Sequence, residues 1–365
     1  MAYTTIDDPS AYFQTALYAG NNTTDHNITN DGNSDLQPDF VWIKQRTSDN
    51  PHVLHDTSRG FNGSGLGFNL QTNSTAAEGT NGAFESFNTN GFGVGGTNVA
   101  SGAYNLSGSN YVAWQWKANG GTTASNTDGS TTSTVQADTT AGFSIITWTG
   151  TGSATTLGHG LGVAPDVLIV KNRSTSVDWA VYHQNMTDAG YTLALNTTDG
   201  QLDSGTNRWN HTAPTSSVFS IGSGQQTNQN TNNMICYAFA EKQGYSKFGK
   251  YVGNGNSNGP FVYTGFKPAF VMIKNASATE SWAIYDNKRS PENPADLKLS
   301  PDTAHGENDN SAIGGTAYNN IDMLSNGFKC KTNNAATNGS GNTLIYMAFA
   351  ENPFVTSTGV PATAR

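Results

Sequence analysis

The stretch PDFVWIKQR, residues 38–46, decides how this chain is read. Successive side chains of a strand point to opposite faces, so Phe40, Trp42 and Lys44 share one side while Val41 and Ile43 share the other. Both sides are apolar up to the lysine, the pattern of a central strand covered on both faces. Pro38 brings no amide proton, which a strand tolerates at its first position and not in its middle. The phrase returns as PDVLIVKNR at 165–173 and PAFVMIKNA at 268–276. Pro38, Pro165 and Pro268 each stand six positions before a lysine: Lys44, Lys171 and Lys274. A strand written three times predicts a unit written three times.

Other landmarks fall into the same frame. Upstream, an aromatic residue followed two positions later by glycine closes a first strand: Tyr18 and Gly20, Trp148 and Gly150, Tyr251 and Gly253. Twelve residues after each lysine come Asp56, His183 and Asp286, ending the runs HVLHD, WAVYH and WAIYD, which read as second strands of hairpins. Late strands begin near FGVG at 92, VFSIG at 218 and FKCK at 328, and strongly apolar strands close each unit at 111, 234 and 344. Short strands between turn signals without a sustained 3.6 period predict an all-β chain of three tandem antiparallel sandwiches, jelly-roll or lectin-like, over 12–118, 142–242 and 246–352. Residues 119–141, rich in Gly, Ser and Thr, are expected to link units one and two flexibly. Units two and three, joined by a few residues, are expected to move together. Residues 1–11 and 353–365 lie outside the units and are expected to serve as docking arms.

Composition bounds the function. Charged residues are 12% of 365, with 41 glycines and abundant Asn, Ser and Thr, the vocabulary of strands and turns. A net charge of -9 without any cluster of Lys and Arg disfavours nucleic acid and acidic membranes. The start, MAYTTIDDPSAYFQ, lacks a basic segment followed by an apolar one, and no apolar run nears the ~20 residues of a membrane span. Neither export nor membrane insertion is expected. Cys236 and Cys330 occupy non-equivalent points, which argues against a disulfide framework and suits synthesis in a reducing cytoplasm.

No catalytic, metal or cofactor site is expected. The repeated lysines invite a nucleophile or an anion clamp. The hairpin spacing sets Asp56 opposite Phe40, four residues from Lys44, so a rim position is expected instead, with the stem packed and the ammonium in water. His52 and His55 point to opposite faces of one strand and would not converge on a metal, and His55 is replaced by Tyr182 and Tyr285 in the other units. Glu85, Asp178 and Glu280 leave a glycosidase pair open, though nothing in the spacing selects them. Calcium stays open as well, without a dense Asp/Asn ladder to support it. There is no G-x-S-x-G elbow, P-loop or dinucleotide fingerprint. Trp42, Trp114, Trp116, Trp148, Trp179 and Trp282 sit in strands and read as core. Trp209, in TNRWNHT between Arg208 and His211, is the one candidate for ligand binding, most naturally a sugar stacked on its ring; the alternative is an anchor for its own loop.

PDFVWIKQR, WNHTAPTSSVFSIG, IYMAFAENPF, the tail STGVPATAR and the opening DDPSAYFQTALYAGN together resemble repeat-bearing structural proteins of marine tailed bacteriophages, including cyanophages. The resemblance implies a place on the virion surface, as a fibre, spike or decorating protein, and carries no catalytic residues. It implies other virion proteins as partners, self-association with a trimer favoured at fibres, and contact with host-surface glycan or envelope protein. A purely structural connector and a polysaccharide depolymerase are the alternatives.

Overall fold

The computed structural model describes residues 2–80, 82–96, 101–307 and 320–363. The chain is all-β, and one antiparallel strand order occurs three times. The first large sheet runs Phe13–Ala19, Asn110–Trp116, Phe40–Gln45, Val53–Asp56, Leu70–Gln71. The second contains Phe143–Thr149, Asn233–Phe239, Val167–Asn172 and Ala180–His183 in the same sequence of neighbours, and the third Ser246–Val252, Thr343–Pro353, Phe266–Asn275 and Ala283–Asp286. Every residue of Phe40–Gln45 is buried, and its register sets Phe40 opposite Asp56.

The two faces of that strand enter different cores. Val41 and Ile43 face a core belonging to unit one, closed by a smaller sheet of His26–Thr29, Gly91–Val94 and Phe84–Asn88. Val271 and Ile273 do the same in unit three, beneath Phe261–Tyr263, Gly327–Cys330 and Ile321–Leu324. Phe40 and Trp42 instead join residues of all three units in the largest core of the molecule. At its centre Trp116, Phe239 and Phe349, the same position of each closing strand, meet with ring centroids 6.3, 5.8 and 5.5 Å apart. The three large sheets thus surround one aromatic centre, and the units do not each bury a wholly private interior.

One connecting segment differs from the sequence-based expectation. Residues 119–141 contain strands Ala124–Asn126 and Ser133–Asp138, the latter paired along Phe143–Thr149, so the second large sheet has six strands. Serine and threonine suit a strand whose outer face meets water, and composition alone did not separate this from a flexible tether. The terminal segments bond back onto the units and to each other. The Tyr3 hydroxyl donates to the Gly265 carbonyl at 2.6 Å, Thr4 Oγ1 to the Gln243 carbonyl at 2.8 Å, and Ser357 N–H to Asp7 Oδ1 at 2.6 Å. Both cysteines are free and buried.

Candidate functional site

Chemistry-bearing side chains gather at the three seams between units, and the seams follow one cyclic rule. The loop after the hairpin of each unit reaches the lysine-bearing strand of the next: Glu78 N–H donates to the Arg173 carbonyl at 2.9 Å, Gln201 N–H to Ala276 at 2.9 Å, and Glu307 N–H to Arg46 at 2.7 Å. Unit three therefore closes onto unit one. Trp179 Nε1 donates to the Gln71 carbonyl at 2.9 Å and Trp282 Nε1 to Ala194 at 3.0 Å by the same rule.

The repeated lysines stand at these seams, and the expectation of a rim ammonium in water is corrected: all three are fully buried. Lys44 Nζ donates to the carbonyls of Gln45 at 2.6 Å and Ser48 at 3.1 Å. Lys171 Nζ donates to Val177 and, across the seam, to Thr75 at 2.8 Å. Lys274 Nζ donates to Asn275 at 3.0 Å, Glu280 at 2.7 Å and, across the seam, Thr198 at 2.9 Å. Among the described residues the acceptors are main-chain carbonyls and not carboxylates, a partner type that residue spacing does not reveal. Burial pushes the Lys44 ammonium down to about 7 and those of Lys171 and Lys274 down to about 8.

Asp56 and Asp286 anchor buried ion chains. Asp56 binds Arg59 at 2.5 Å, Arg59 reaches Glu78 at 3.4 Å, and Glu78 binds Arg173 of unit two at 2.7 Å. Tyr237 of unit two also donates its hydroxyl to Asp56 at 2.7 Å. The seam between units three and one repeats this with Asp286, Arg289, Glu307 and Arg46 at 2.6, 3.4 and 2.7 Å, and Trp114 Nε1 donates to Asp286 at 3.0 Å. Between units two and three the same four places hold His183, Met186, Gln201 and Ala276. There the His183 ring meets the Tyr346 carbonyl at 3.2 Å, and burial drives its pKa down to about 4.

Trp209 is not a binding platform. It is 1% exposed and packs edge-on to Tyr182 at 5.8 Å, so it pins its loop. Arg208 is half-buried beside it, while His211 lies outside, 3.5 Å from Asp188. A polar loop sequence concealed a buried ring because the pocket beneath it comes from a hairpin distant in sequence. His52 and His55 do diverge: His52 Nδ1 accepts from Trp42 Nε1 at 2.9 Å, whereas His55 stacks on Phe84 at 4.3 Å. Glu85 accepts main-chain amides of Asp25 and Gly96, Asp178 accepts from Asn196, and the two belong to different units. Among the described residues no group of three or more His, Cys, Asp or Glu could hold a metal ion, and no helix is long and apolar enough to cross a membrane.

One seam is open. Between units three and one a groove of about 230 Å³ is lined by Phe13, Gln14 and Thr15 on one side and Ala269, Lys288 and Glu351 on the other. Lys288 bridges its mouth to Asp31 at 2.8 Å. Ala269 occupies the place at which Asp39 accepts the amides of Ala118, Gly120 and Gly121, and Asp166 that of Glu241. Lacking that carboxylate, the third unit leaves space.

The chain belongs to the family defined by a domain of unknown function, DUF7483, whose model matches residues 8–353. The match spans all three units. No curated protein and no solved structure matches the chain.

Proposed function

We propose that this chain is a structural protein of the virion surface in a tailed phage, as a fibre, spike or capsid appendage, whose outward loops contribute to host attachment. The observation that carries the proposal is the closed ring. Lysines, aspartates and arginines gather at the seams, where Lys171, Lys274, Asp56, Asp286, Arg46 and Arg173 bond across units. What faces solvent is largely Asn, Thr, Ser and Gly in loops, a surface suited to hydrogen bonding with glycans or neighbouring proteins. The resemblance of its sequence phrases to those of phage structural proteins supports the same reading. Synthesis in the host cytoplasm, virion neighbours, host glycan or envelope contact and self-association belong to the proposal. Its test is a density map of the native particle together with competition for adsorption by the purified chain. The expected result is this ring on the particle exterior and reduced adsorption in its presence; a particle without the chain would overturn the reading. Adsorption unchanged, with particles falling apart when the chain is deleted, would favour the purely structural connector.

A further inference from the structure

The open groove has a counterpart that is filled. In unit two the outer edge of the opening strand Phe143–Thr149 is covered by Ser133–Asp138, paired antiparallel from Thr134 opposite Thr147 to Asp138 opposite Phe143. In unit three the opening strand Ser246–Val252 is a sheet edge, and it is defended. It carries Lys247 and Lys250, and its outward Phe248 carbonyl accepts from Gln184 Nε2 at 3.2 Å and Asn185 Nδ2 at 3.3 Å. Edge lysines and side-chain caps are how sheets discourage further pairing.

The opening strand of unit one, Phe13–Ala19, has neither protection. Its sequence FQTALYA has no charge and no proline, and Leu17, 40% exposed, stands at the position of Lys250. Gly20 N–H donates to the Ser109 carbonyl and Lys117 N–H to the Tyr12 carbonyl. Antiparallel alternation then turns the main-chain groups of Phe13, Thr15, Leu17 and Ala19 away from the sheet. Among the described residues no group outside the ladder bonds them. The buried Thr15 hydroxyl, on the wall of the groove, also has no partner. Asn287 and Lys288, at the positions of Gln184 and Asn185, bond Glu351 and Asp31.

We propose that this edge takes an extended segment of another polypeptide, added antiparallel beside Phe13–Ala19 as Ser133–Asp138 is added beside Phe143–Thr149. The segment has the chemistry of the paired residues 134–138, Thr-Val-Gln-Ala-Asp: small and β-branched side chains, with a carboxylate only at the end opposite Phe13, that suit a groove lined by Phe13, Ala269 and Lys288. The occupant of the equivalent edge is a single tethered strand backed only by Ala124–Asn126, so the edge accepts a segment and not the face of a second ring. The inference holds whatever assembly the ring serves.

The probe is a fluorescent peptide of residues 131–139, TTSTVQADT, titrated into the intact chain by anisotropy, with hydrogen exchange read at both sheet edges. Expected are saturable binding, fast exchange of the outward amides of Phe13, Thr15, Leu17 and Ala19 in the free protein, and protection of these amides but not of 246–252 when the peptide is bound. Leu17→Lys, which installs the residue unit three carries, and Leu17→Pro, which deletes one outward donor, should each weaken binding about tenfold or more without unfolding the chain. Absent binding, binding indifferent to both substitutions, or outward amides already protected in the free protein would overturn the proposal. So would a concentration-dependent dimer abolished by Leu17→Lys, which would assign the edge to a second copy.

Discussion

Asp286, Arg289, Glu307 and Arg46 form a line of alternating charge, and each member is satisfied only while its neighbours stay. Removing one partner of a buried ion pair leaves an uncompensated charge and costs about 3–5 kcal/mol, whereas replacing the whole set by neutral groups is often close to neutral. The seam between units two and three is that replacement made in the same chain, with His183, Met186, Gln201 and Ala276 changed together. Arg289→Met alone is therefore expected to lower unfolding free energy by about 3–5 kcal/mol. The quadruple change Asp286→His, Arg289→Met, Glu307→Gln and Arg46→Ala should recover most of it in denaturant melts; a quadruple variant as unstable as the single one would refute the exchange of one seam for the other. The lysines make a separate prediction with pH. Their folded pKa values, about 7 for Lys44 and about 8 for Lys171 and Lys274, lie below the ordinary lysine value, so between there and ~10.4 the unfolded chain binds more protons. The burial cost is thus fully present below pH ~7, and stability should rise towards pH ~10 by up to ~1.4 kcal/mol per unit for each lysine already neutral in the fold. Lys44→Met should reduce that slope, measured from melts across the window. A flat profile would mean that the carbonyl cages keep the ammonium groups charged.

At the scale of elements, the loop preceding each closing strand is held by a buried asparagine six residues upstream: Asn105, Asn228 and Asn338 before Tyr111, Met234 and Leu344. Asn228 Nδ2 donates to Thr151 Oγ1 at 3.0 Å, Ser153 O at 2.7 Å and Gly222 O at 2.9 Å, while Oδ1 accepts from Thr151 N–H at 2.8 Å. The same loops approach the repeated glycines so closely that a Cβ on Gly20, Gly150 or Gly253 would lie 2.2, 2.0 or 2.2 Å from a main-chain oxygen. Asn228→Ala strands several of these groups, each worth about 1–3 kcal/mol when buried without a partner, and is expected to cost at least ~2 kcal/mol in a chemical melt. An effect under ~0.5 kcal/mol would show that water replaces the amide. The strands carrying Pro38, Lys44 and Asp56 were legible because hydrophobic alternation and a fixed hairpin length leave one register. The asparagines were equally repeated but sat among many others in polar loops, where residue type does not distinguish a buried bond from a wet one. The Lys cages and the buried ring of Trp209 differ from the expectation for related reasons: main-chain carbonyls, which residue type does not mark, cage the lysines, and the partner of Trp209 comes from a distant hairpin.

For the whole molecule, the consequence lies in where the largest core sits. Had each sandwich buried only its own interior, the three would unfold as separate cooperative units and a lesion in one would leave the others unmoved. Instead Trp116 of unit one touches Phe239 of unit two, and Phe270 and Phe349 of unit three, with centroids 5.5–6.3 Å apart. Phe13 also stacks on Phe349 at 5.2 Å. The termini reinforce closure at the seam that the chain itself does not cross, through Asp7 with Ser357 and Tyr3 with Gly265. Such a ring should melt as one transition. Trp116→Ala, which empties the centre, is expected to cost about 3–5 kcal/mol and to accelerate exchange of the slowest amides in all three large sheets together. Phe92→Ala lies in the private core of unit one, and its first effect should fall on the sheet of His26–Thr29, Gly91–Val94 and Phe84–Asn88. Hydrogen exchange resolved by segment separates these outcomes. Acceleration confined to residues 13–116 after Trp116→Ala would mean that the aromatic centre is only contact between independent units, and the closed ring could then no longer be the unit of stability.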